Sequence, residues 1–416
     1  MSLRDFRRAG HPPTLLASFL YFDISFMVWV LLGPLGPFIG DAYHLTATQK
    51  GLLTAIPPLG GAFFRPILGW MTERFGGRLT GLLGLCATLI PLALGWQMAD
   101  SFPGFLAVGL LLGIAGASFA AALPLASSWY PPEHQGLAMG IAGAGNSGTI
   151  LATLFAPRLA QALGWRNVFG LAMIPVVVVW VLFFLLARNS PAPRRVKTWE
   201  EYRSVFKESD ALRFCFLYSL TFGGFVGLTS YLSIFFHDQY GLSKVQSGDF
   251  TTFVVFFGSF LRPIGGVIAD RIGGYRLLVS LLACAGIGAA IIATLPPVMV
   301  ALGFLALVMG LLGMGNGSVF QLLPQRFPTS IGIMTGIVGA AGGVGGFFLP
   351  SLLGLLKDRT GTFTAGFAAL AVLLLSGAAL LISLNRVWQR TWPAAALERA
   401  GLLPKGELAD AYAPTE

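Results

Sequence analysis

The chain has 416 residues, of which 55% are hydrophobic and only 11% are charged, and its formal net charge is +9. A soluble domain carries about 25% charged residues, so this composition excludes an ordinary soluble protein. Long apolar runs exclude a transmembrane β-barrel, whose strands are short and alternating. The basic excess is interpreted as a signal of membrane topology and not of nucleic-acid binding.

Apolar runs long enough to cross a bilayer recur along the whole chain. A crossing needs about 20 apolar residues, and Gly-Gly, Pro-Pro and charged clusters separate the runs. The first run is too long for a signal peptide and lacks a cleavage site. The sequence therefore predicts an all-α membrane protein with twelve transmembrane helices. Their expected limits are 14–37, 48–70, 79–98, 103–127, 136–158, 167–187, 211–236, 246–269, 277–294, 297–322, 331–353 and 364–386.

One long polar segment, RNSPAPRRVKTWEEYRSVFKESD, follows the sixth run and divides the chain. We expect an N-terminal six-helix half in residues 1–187, a cytosolic linker in 188–210, a C-terminal half in 211–386 and a cytosolic tail in 387–416. With the N-terminus inside, 19 of the 27 Lys and Arg fall on the cytosolic side, six on the other side and two within runs. Because cytosolic loops carry the excess of Lys and Arg, both termini are expected in the cytosol.

The two halves repeat with an offset of 197 residues. RPILG at 65–69 corresponds to RPIGG at 262–266, and the loop ERFGGR at 73–78 corresponds to DRIGGYR at 270–276. The glycine-dense fifth and eleventh runs also match. Two six-helix halves in parallel repeat are typical of major facilitator transporters, which have a pseudo-two-fold axis.

The loops after the second and eighth runs resemble the G-x-x-x-D-R-x-G-R-R loop of that superfamily. They contain Glu73 and Arg74 in the first copy and Asp270 and Arg271 in the second, with Glu73 where Asp is usual. An acidic side chain at a helix end can hold a neighbouring helix N-terminus or a loop arginine. These four residues are therefore predicted to control conformation.

Two arginines, Arg65 and Arg262, lie within apolar runs. Each is about 20 Å from the basic loop that follows, beyond easy snorkelling. Asp23 is the one acidic residue well inside a run, and Asp249 lies near the start of the eighth. Two arginines and one deep carboxylate leave a positive charge over. Since an arginine fork favours oxyanions, the pattern predicts a small anionic ligand between the halves.

At these arginines the chain resembles the NarK-like nitrate/nitrite porters of the major facilitator superfamily. The resemblance covers all twelve runs. The matching segments are the two Arg-Pro motifs, LYSLTFGGFVG (217–227), GIAGAGNSGTI (140–150), GMGNGSVFQLLP (313–324) and GIVGAAGGVGGFFLP (336–350). The resemblance implies a bacterial inner-membrane transporter in which Arg65 and Arg262 clamp nitrate or nitrite.

The same resemblance implies four further contacts with the anion. Asn146 of GNSG would be a polar contact, and Phe119 and Phe222 would stack on the planar ion. Tyr218, one turn before Phe222, would donate a hydrogen bond. Residue type alone is weak evidence for the phenylalanines, because the chain has 34 of them and packing aromatics are common in apolar spans.

The first run, with Asp23, resembles the proton-coupled type 1 branch of the family. Asp23 could bind a proton that accompanies nitrate, or it could be a fixed counter-ion or hydrogen-bond anchor. Import of an anion against an inside-negative potential is opposed by about 2.3 kcal/mol per 100 mV, so import needs protons or exchange for nitrite. Nitrate/nitrite antiport and an organic-phosphate-type anion carrier remain alternatives.

Other functional classes lack support in the sequence. There is no P-loop or GxSxG motif, so an enzyme is not expected, and neither is a cofactor or a nucleic-acid partner. Cys86, Cys215 and Cys284 have no CxxC spacing and are predicted to be small core residues. The expected partners are nitrate or nitrite, a proton and the lipid bilayer, and the expected state is a monomer.

Overall fold

The computed structural model describes residues 3–98, 100–191, 199–328 and 330–403, and the secondary structure of these residues is helical throughout. Twelve helices in these ranges are long and apolar enough to cross a membrane, which confirms the predicted number. We number them as spans 1–12. They are Pro12–Ala42, Ala47–Phe75, Gly77–Gln97, Phe102–Ser127, Leu137–Leu163, Trp165–Leu186, Ser209–Tyr240, Lys244–Ile272, Gly274–Ala293, Val298–Arg326, Ile331–Thr360 and Thr364–Thr391.

Most spans extend a few residues beyond their predicted limits, because the helices continue past the apolar core. Three short helices lie outside the spans: Leu3–Ala9, Trp199–Phe206 and Ala394–Ala400. Of the predicted linker and tail, residues 192–198 and 404–416 lie outside the described ranges. Since the number of spans is even, the chain enters and leaves the bundle at one end, here called the termini end, and the other is the opposite end.

Three spans of the first half are interrupted near their middle. Span 1 consists of the helices Pro12–Trp29 and Leu32–Ala42, and span 4 of Phe102–Gly116 and Phe119–Ser127. In span 5, the helices Pro132–Gly143 and Gly148–Leu163 flank a 3₁₀ turn, Ala144–Ser147. Irregular backbone at membrane depth is tolerated where it is enclosed by protein or lines a cavity. The breaks therefore direct attention to the centre of the bundle.

The internal repeat is visible in the way that spans 2 and 8 begin. Thr46 accepts a hydrogen bond from the backbone of Gln49, whose side chain returns one to the backbone of Thr46. Ser243 and Gln246 form the same reciprocal capping box. The two boxes are 197 residues apart, so the sequence repeat extends to local hydrogen bonding.

Spans 2 and 8 also end in the same way. Gly76 and Gly273 follow the last helical residues with φ of 90° and 91°. A side chain is strained at such positive φ, so glycine allows the sharp turn into spans 3 and 9. Gly273 has a second constraint, because a Cβ there would lie 2.2 Å from Gly401.

An acidic residue at the start of span 7 anchors three spans at the termini end. Asp210 is 3% exposed. It accepts hydrogen bonds from Arg213 at 2.7 Å, Arg326 at 2.6 Å, Trp388 at 2.8 Å and Trp392 at 3.3 Å. Asp210 was predicted to lie in the linker, but the helix begins at Ser209 and includes it. The carboxylate therefore joins spans 7, 10 and 12.

Replacing Asp210 by alanine is expected to lower the stability of the protein by about 3 kcal/mol, because Arg326 would lose its buried partner. Glu208 is a matched control. It pairs with the same arginine at 2.7 Å but is 44% exposed, so Glu208→Ala should cost less than about 1 kcal/mol. Thermal unfolding in detergent measures both. Equal shifts in Tm would contradict a structural role for Asp210.

The prediction that the cysteines are small core residues is wrong for two of them. Cys86 and Cys284 are exposed and Cys215 is partly buried, and all three are free. Cys86 and Cys284 lie in spans 3 and 9, which expose one face to their surroundings. A membrane-spanning helix can place apolar residues on that face, so hydrophobicity alone does not indicate burial there.

Candidate substrate site

Arg65 lies in the middle of the bundle and is 3% exposed. Its Nε donates to the carbonyl of Gly116 in span 4 at 3.3 Å, and its Nη1 donates to the carbonyl of Gly339 in span 11. The side chain therefore connects spans of both halves. These acceptors are neutral carbonyls, so they satisfy hydrogen bonds without cancelling the charge.

Aromatic rings surround the Arg65 guanidinium. Its Cζ lies 5.4 Å from the ring centre of Trp29, 5.9 Å from that of Phe119 and 5.2 Å from that of Phe222. The structure thus brings Phe119 and Phe222 to the arginine that the sequence had singled out. Aromatic faces attract a cation within about 6 Å, so the rings stabilise the charge only partly.

Arg262 approaches the same ring from the other half. Its Cζ lies 6.0 Å from the centre of Phe222 and 5.9 Å from that of Phe320. The two guanidinium groups, one from each half, therefore lie beside the same aromatic ring. The Arg262 Nη1 is buried and has no hydrogen-bond partner in the part of the chain that the structure describes.

Tyr218 lies near both arginines. Its hydroxyl is within hydrogen-bonding reach of Arg262 and within electrostatic reach of Arg65. Its ring stacks on Phe222 with centres 5.1 Å apart and planes 2° apart. The residue is 1% exposed. Tyr218 thus presents a hydroxyl to the space that the two guanidinium groups share.

Asn146 occupies the 3₁₀ turn of span 5. It is 2% exposed, and its Oδ1 has no hydrogen-bond partner within the described ranges. The turn lies against span 1, where a Cβ at Gly145 would be 2.7 Å from the ring of Phe22 and one at Gly148 would be 1.7 Å from the carbonyl oxygen of Asp23. The glycines therefore allow the backbone contact that positions Asn146.

Asp23 does not neutralise either arginine. Its Oδ1 accepts a hydrogen bond from Ser147 at 2.6 Å, and the carboxylate also accepts from the backbone of Gly148. Within the described residues, neither Arg65 nor Arg262 forms an ion pair with a carboxylate. Both positive charges are thus available to an anion. From the sequence, only one was expected to remain after pairing with Asp23.

Two members of this site, Trp29 and Phe320, were not predicted from the sequence. The Trp29 indole donates to the carbonyl of Pro57 at 2.7 Å, which holds its ring beside Arg65. Phe320 packs on Tyr218 and Phe119 as well as on Arg262. The available signals were a mid-span indole that needs an acceptor and the motif GMGNGSVFQLLP, which contains Phe320.

The four predicted conformational residues lie at the termini end of spans 2 and 8. Arg74 packs over Trp70, with 5.4 Å from its Cζ to the ring centre. Asp270 and Arg271 are exposed and form no ion pair within the described ranges. Gln321 of span 10 instead accepts from the backbone of Gly274 at 3.1 Å, at the start of span 9. The role assigned to Glu73 and Asp270 stays a prediction.

Ion pairs between the halves close the site at the opposite end. They join span 2 to span 7, span 1 to span 8 and span 5 to span 8. The pairs are Lys50–Asp238 at 2.8 Å, Asp41–Lys244 at 2.7 Å and Arg158–Asp249 at 2.6 Å. Asp358 of span 11 also accepts from the first backbone N–H groups of span 2, Ala47 at 3.0 Å and Thr48 at 2.7 Å.

Residues 17–350 match the family described as Major Facilitator Superfamily. A nitrite extrusion protein of Bacillus subtilis is 35% identical over 360 residues, which is 86% of this chain and 90% of the relative. A probable nitrate/nitrite transporter of Mycobacterium tuberculosis, NarK2, is 33% identical and covers 80% of this chain and 86% of its own. This chain belongs to the NarK-like family of the major facilitator superfamily. It is therefore a transporter and not an enzyme.

Other relatives agree with this NarK-like assignment. A probable nitrate/nitrite antiporter of Thermus thermophilus, NarK1, is 30% identical over 83% of this chain and 85% of its own. A solved D-xylose–proton symporter has a TM-score of 0.73 at 17% identity, covering 88% of this chain and 96% of its own. The human organic anion transporter MFSD10 has a TM-score of 0.67 at 16% identity, covering 89% and 99%. The two solved structures show the shared fold alone.

Proposed function

We propose that this chain carries nitrate, and nitrite as well, across the bacterial cytoplasmic membrane by alternating access. The observation that carries the proposal is the pair Arg65, which is buried, and Arg262, which is half-buried. Neither pairs with a carboxylate of the described residues, and both lie near the ring of Phe222. The names of the relatives supply the ion: nitrite extrusion, nitrate/nitrite transport and nitrate/nitrite antiport. A planar oxyanion can accept paired hydrogen bonds from guanidinium groups.

The proposed cycle depends on repulsion between the two arginines. Without an anion, their like charges oppose closure of the halves around the site. A bound anion screens that repulsion, while Tyr218 and Asn146 offer further hydrogen bonds and Phe119 and Phe222 cover its faces. The halves can then rock about the occupied site. Opening toward the opposite end requires the ion pairs there, such as Lys50–Asp238, to separate.

The orientation and boundaries of the halves are part of the proposal. Both termini are placed in the cytosol by the distribution of Lys and Arg. The halves are placed at residues 1–187 and 211–386, joined by a cytosolic linker at 188–210 and followed by a tail at 387–416. The transporter is proposed to work as a monomer, since each chain contains both arginines.

Coupling to protons is the finer part of the proposal, and Asp23 is its candidate residue. The carboxylate is partly buried and holds the turn of span 5 through Ser147 and Gly148. Adding a proton to Asp23 would remove the charge that these donors stabilise, and the turn also contains Asn146. Protonation at Asp23 could therefore be communicated to the nitrate site by one short segment.

A flux assay distinguishes symport from exchange. In proteoliposomes without internal nitrite, an inward proton gradient is expected to drive nitrate accumulation, and Asp23→Asn is expected to reduce it about tenfold or more, because the variant cannot release a proton. Nitrate uptake that ignores pH and requires internal nitrite would instead establish antiport. Asp100→Asn is the control, since Asp100 lies at the opposite end and its exposed pair with Arg166 stays within the first half.

A further inference from the structure

We infer that Ser259 of span 8 is a further substrate-contacting residue, whose hydroxyl donates a hydrogen bond to the bound anion. The inference rests on the proposed function, because it assumes that the site binds an oxyanion. It adds a donor from the second half that lies across from Asn146 of the first half.

Spans 5 and 8 run antiparallel and touch along their length toward the opposite end. A Cβ at Gly248 would lie 2.6 Å from the ring of Pro157. One turn further, Thr252 donates to the hydroxyl of Thr153 at 2.9 Å. A step of four residues forward in span 8, from Gly248 to Thr252, therefore matches a step of four residues back in span 5, from Pro157 to Thr153. Two antiparallel helices with the same rise per residue are expected to show this correspondence.

Continuing this register brings Ser259 to Asn146. Ser259 is seven residues after Thr252, and Asn146 is seven residues before Thr153. Seven residues are about two helical turns, so Ser259 lies on the same face of span 8 as Thr252. Span 8 also packs against the 3₁₀ turn Ala144–Ser147 that contains Asn146.

Three polar atoms near this level have no hydrogen-bond partner among the described residues. They are the Ser259 Oγ, the Asn146 Oδ1 and the Arg262 Nη1, all buried. Ser259 is 7% exposed and Asn146 is 2% exposed. Arg262 follows Ser259 by three residues and so lies on an adjacent face of the same helix. Buried polar atoms are normally paired, and orphans that converge from two halves indicate a ligand between them.

The chemistry of these groups fits an oxyanion. A serine hydroxyl and a guanidinium can both donate, and an asparagine amide can turn its NH₂ group toward an acceptor. Ser259 would bind an anion oxygen that the fork of Arg262 leaves free. Because Ser259 and Asn146 belong to opposite halves, an anion held by both would stabilise the closed arrangement.

Nitrate binding to the purified full-length protein, followed by calorimetry, tests this inference. Ser259→Ala is expected to raise the Kd for nitrate about tenfold, the effect of losing one hydrogen bond to a charged ligand. Ser247→Ala is the matched control. Ser247 lies on the same span and is 0% exposed, and its hydroxyl also has no hydrogen-bond partner among the residues that the structure describes. It is 12 residues from Ser259, so its removal should change the Kd by less than about twofold.

The outcomes separate the inference from the proposed function. If the wild-type protein does not bind nitrate, both fail. If wild type and Ser259→Ala bind with the same Kd, the inference alone fails. Should Ser259→Ala lower the Tm enough to prevent the titration, Ser259→Cys keeps the size with a weaker donor and is expected to bind about threefold more weakly or worse. A Kd equal to that of wild type would then overturn the inference.

Discussion

Replacing Arg65 or Arg262 by lysine is expected to reduce nitrate transport on the order of 100-fold or more while the protein still folds. Arg65 donates from Nε to Gly116 and from Nη1 to Gly339 in the other half. A lysine ammonium is a point charge and cannot make both contacts and also present a planar fork to an anion. Arg262→Lys removes the fork whose Nη1 is unpartnered.

Uptake of labelled nitrate into proteoliposomes measures this effect, and thermal unfolding in detergent verifies folding. Arg359→Lys is a matched control, because Arg359 is exposed at the end of span 11 and the same substitution there keeps the charge. Its flux should equal that of wild type. Substantial nitrate flux in both Arg65→Lys and Arg262→Lys would rule out the paired-arginine site.

Replacing Gly148 by alanine is expected to lower nitrate transport about tenfold or more. The new Cβ would lie 1.7 Å from the carbonyl oxygen of Asp23. A backbone oxygen cannot rotate away, so the start of the second helix of span 5 must move from span 1, at a cost of about 1–3 kcal/mol. The displacement would break the hydrogen bond from Ser147 to Asp23 and shift Asn146.

Gly140 provides the control for this substitution. It lies in the same span, and a Cβ there would meet nothing within 4 Å. Gly140→Ala should therefore retain wild-type flux and gain slightly in helix propensity. The comparison is made by uptake assays and by Tm. Equal flux in Gly148→Ala and Gly140→Ala would show that close contact with span 1 does not matter for transport.

Most of the fold could be predicted from the sequence because a bilayer permits few solutions. Backbone groups in hydrocarbon must bond within their own helix, so apolar runs of sufficient length become spanning helices. The repeat of RPILG and RPIGG correctly indicated two similar halves, and matching caps at Thr46 and Ser243 followed. The position of Asp210 inside the start of span 7 was not predicted, because a charged residue is typical of a linker. Its partners in spans 10 and 12 are distant in the sequence.

The candidate site was only partly predictable. Arg65 and Arg262 were conspicuous because charge is rare and costly within apolar spans. Trp29 and Phe320 could not be recognised in this way, because aromatic residues are common throughout such an apolar chain. The partner of Asp23 could not be predicted either. Ser147 is 124 residues away in the sequence and reaches Asp23 only because the glycines of span 5 let the two spans pack closely.

The acceptor that Arg65 uses in span 11 has a genetic consequence. It is the main-chain oxygen of Gly339, which every amino acid possesses, and a methyl group added at this position would lie 3.9 Å from the arginine, an ordinary separation. No amino-acid substitution at position 339 removes this carbonyl oxygen. Substitutions at position 339 would therefore leave this acceptor in place, and random mutagenesis would detect the hydrogen bond through substitutions of Arg65.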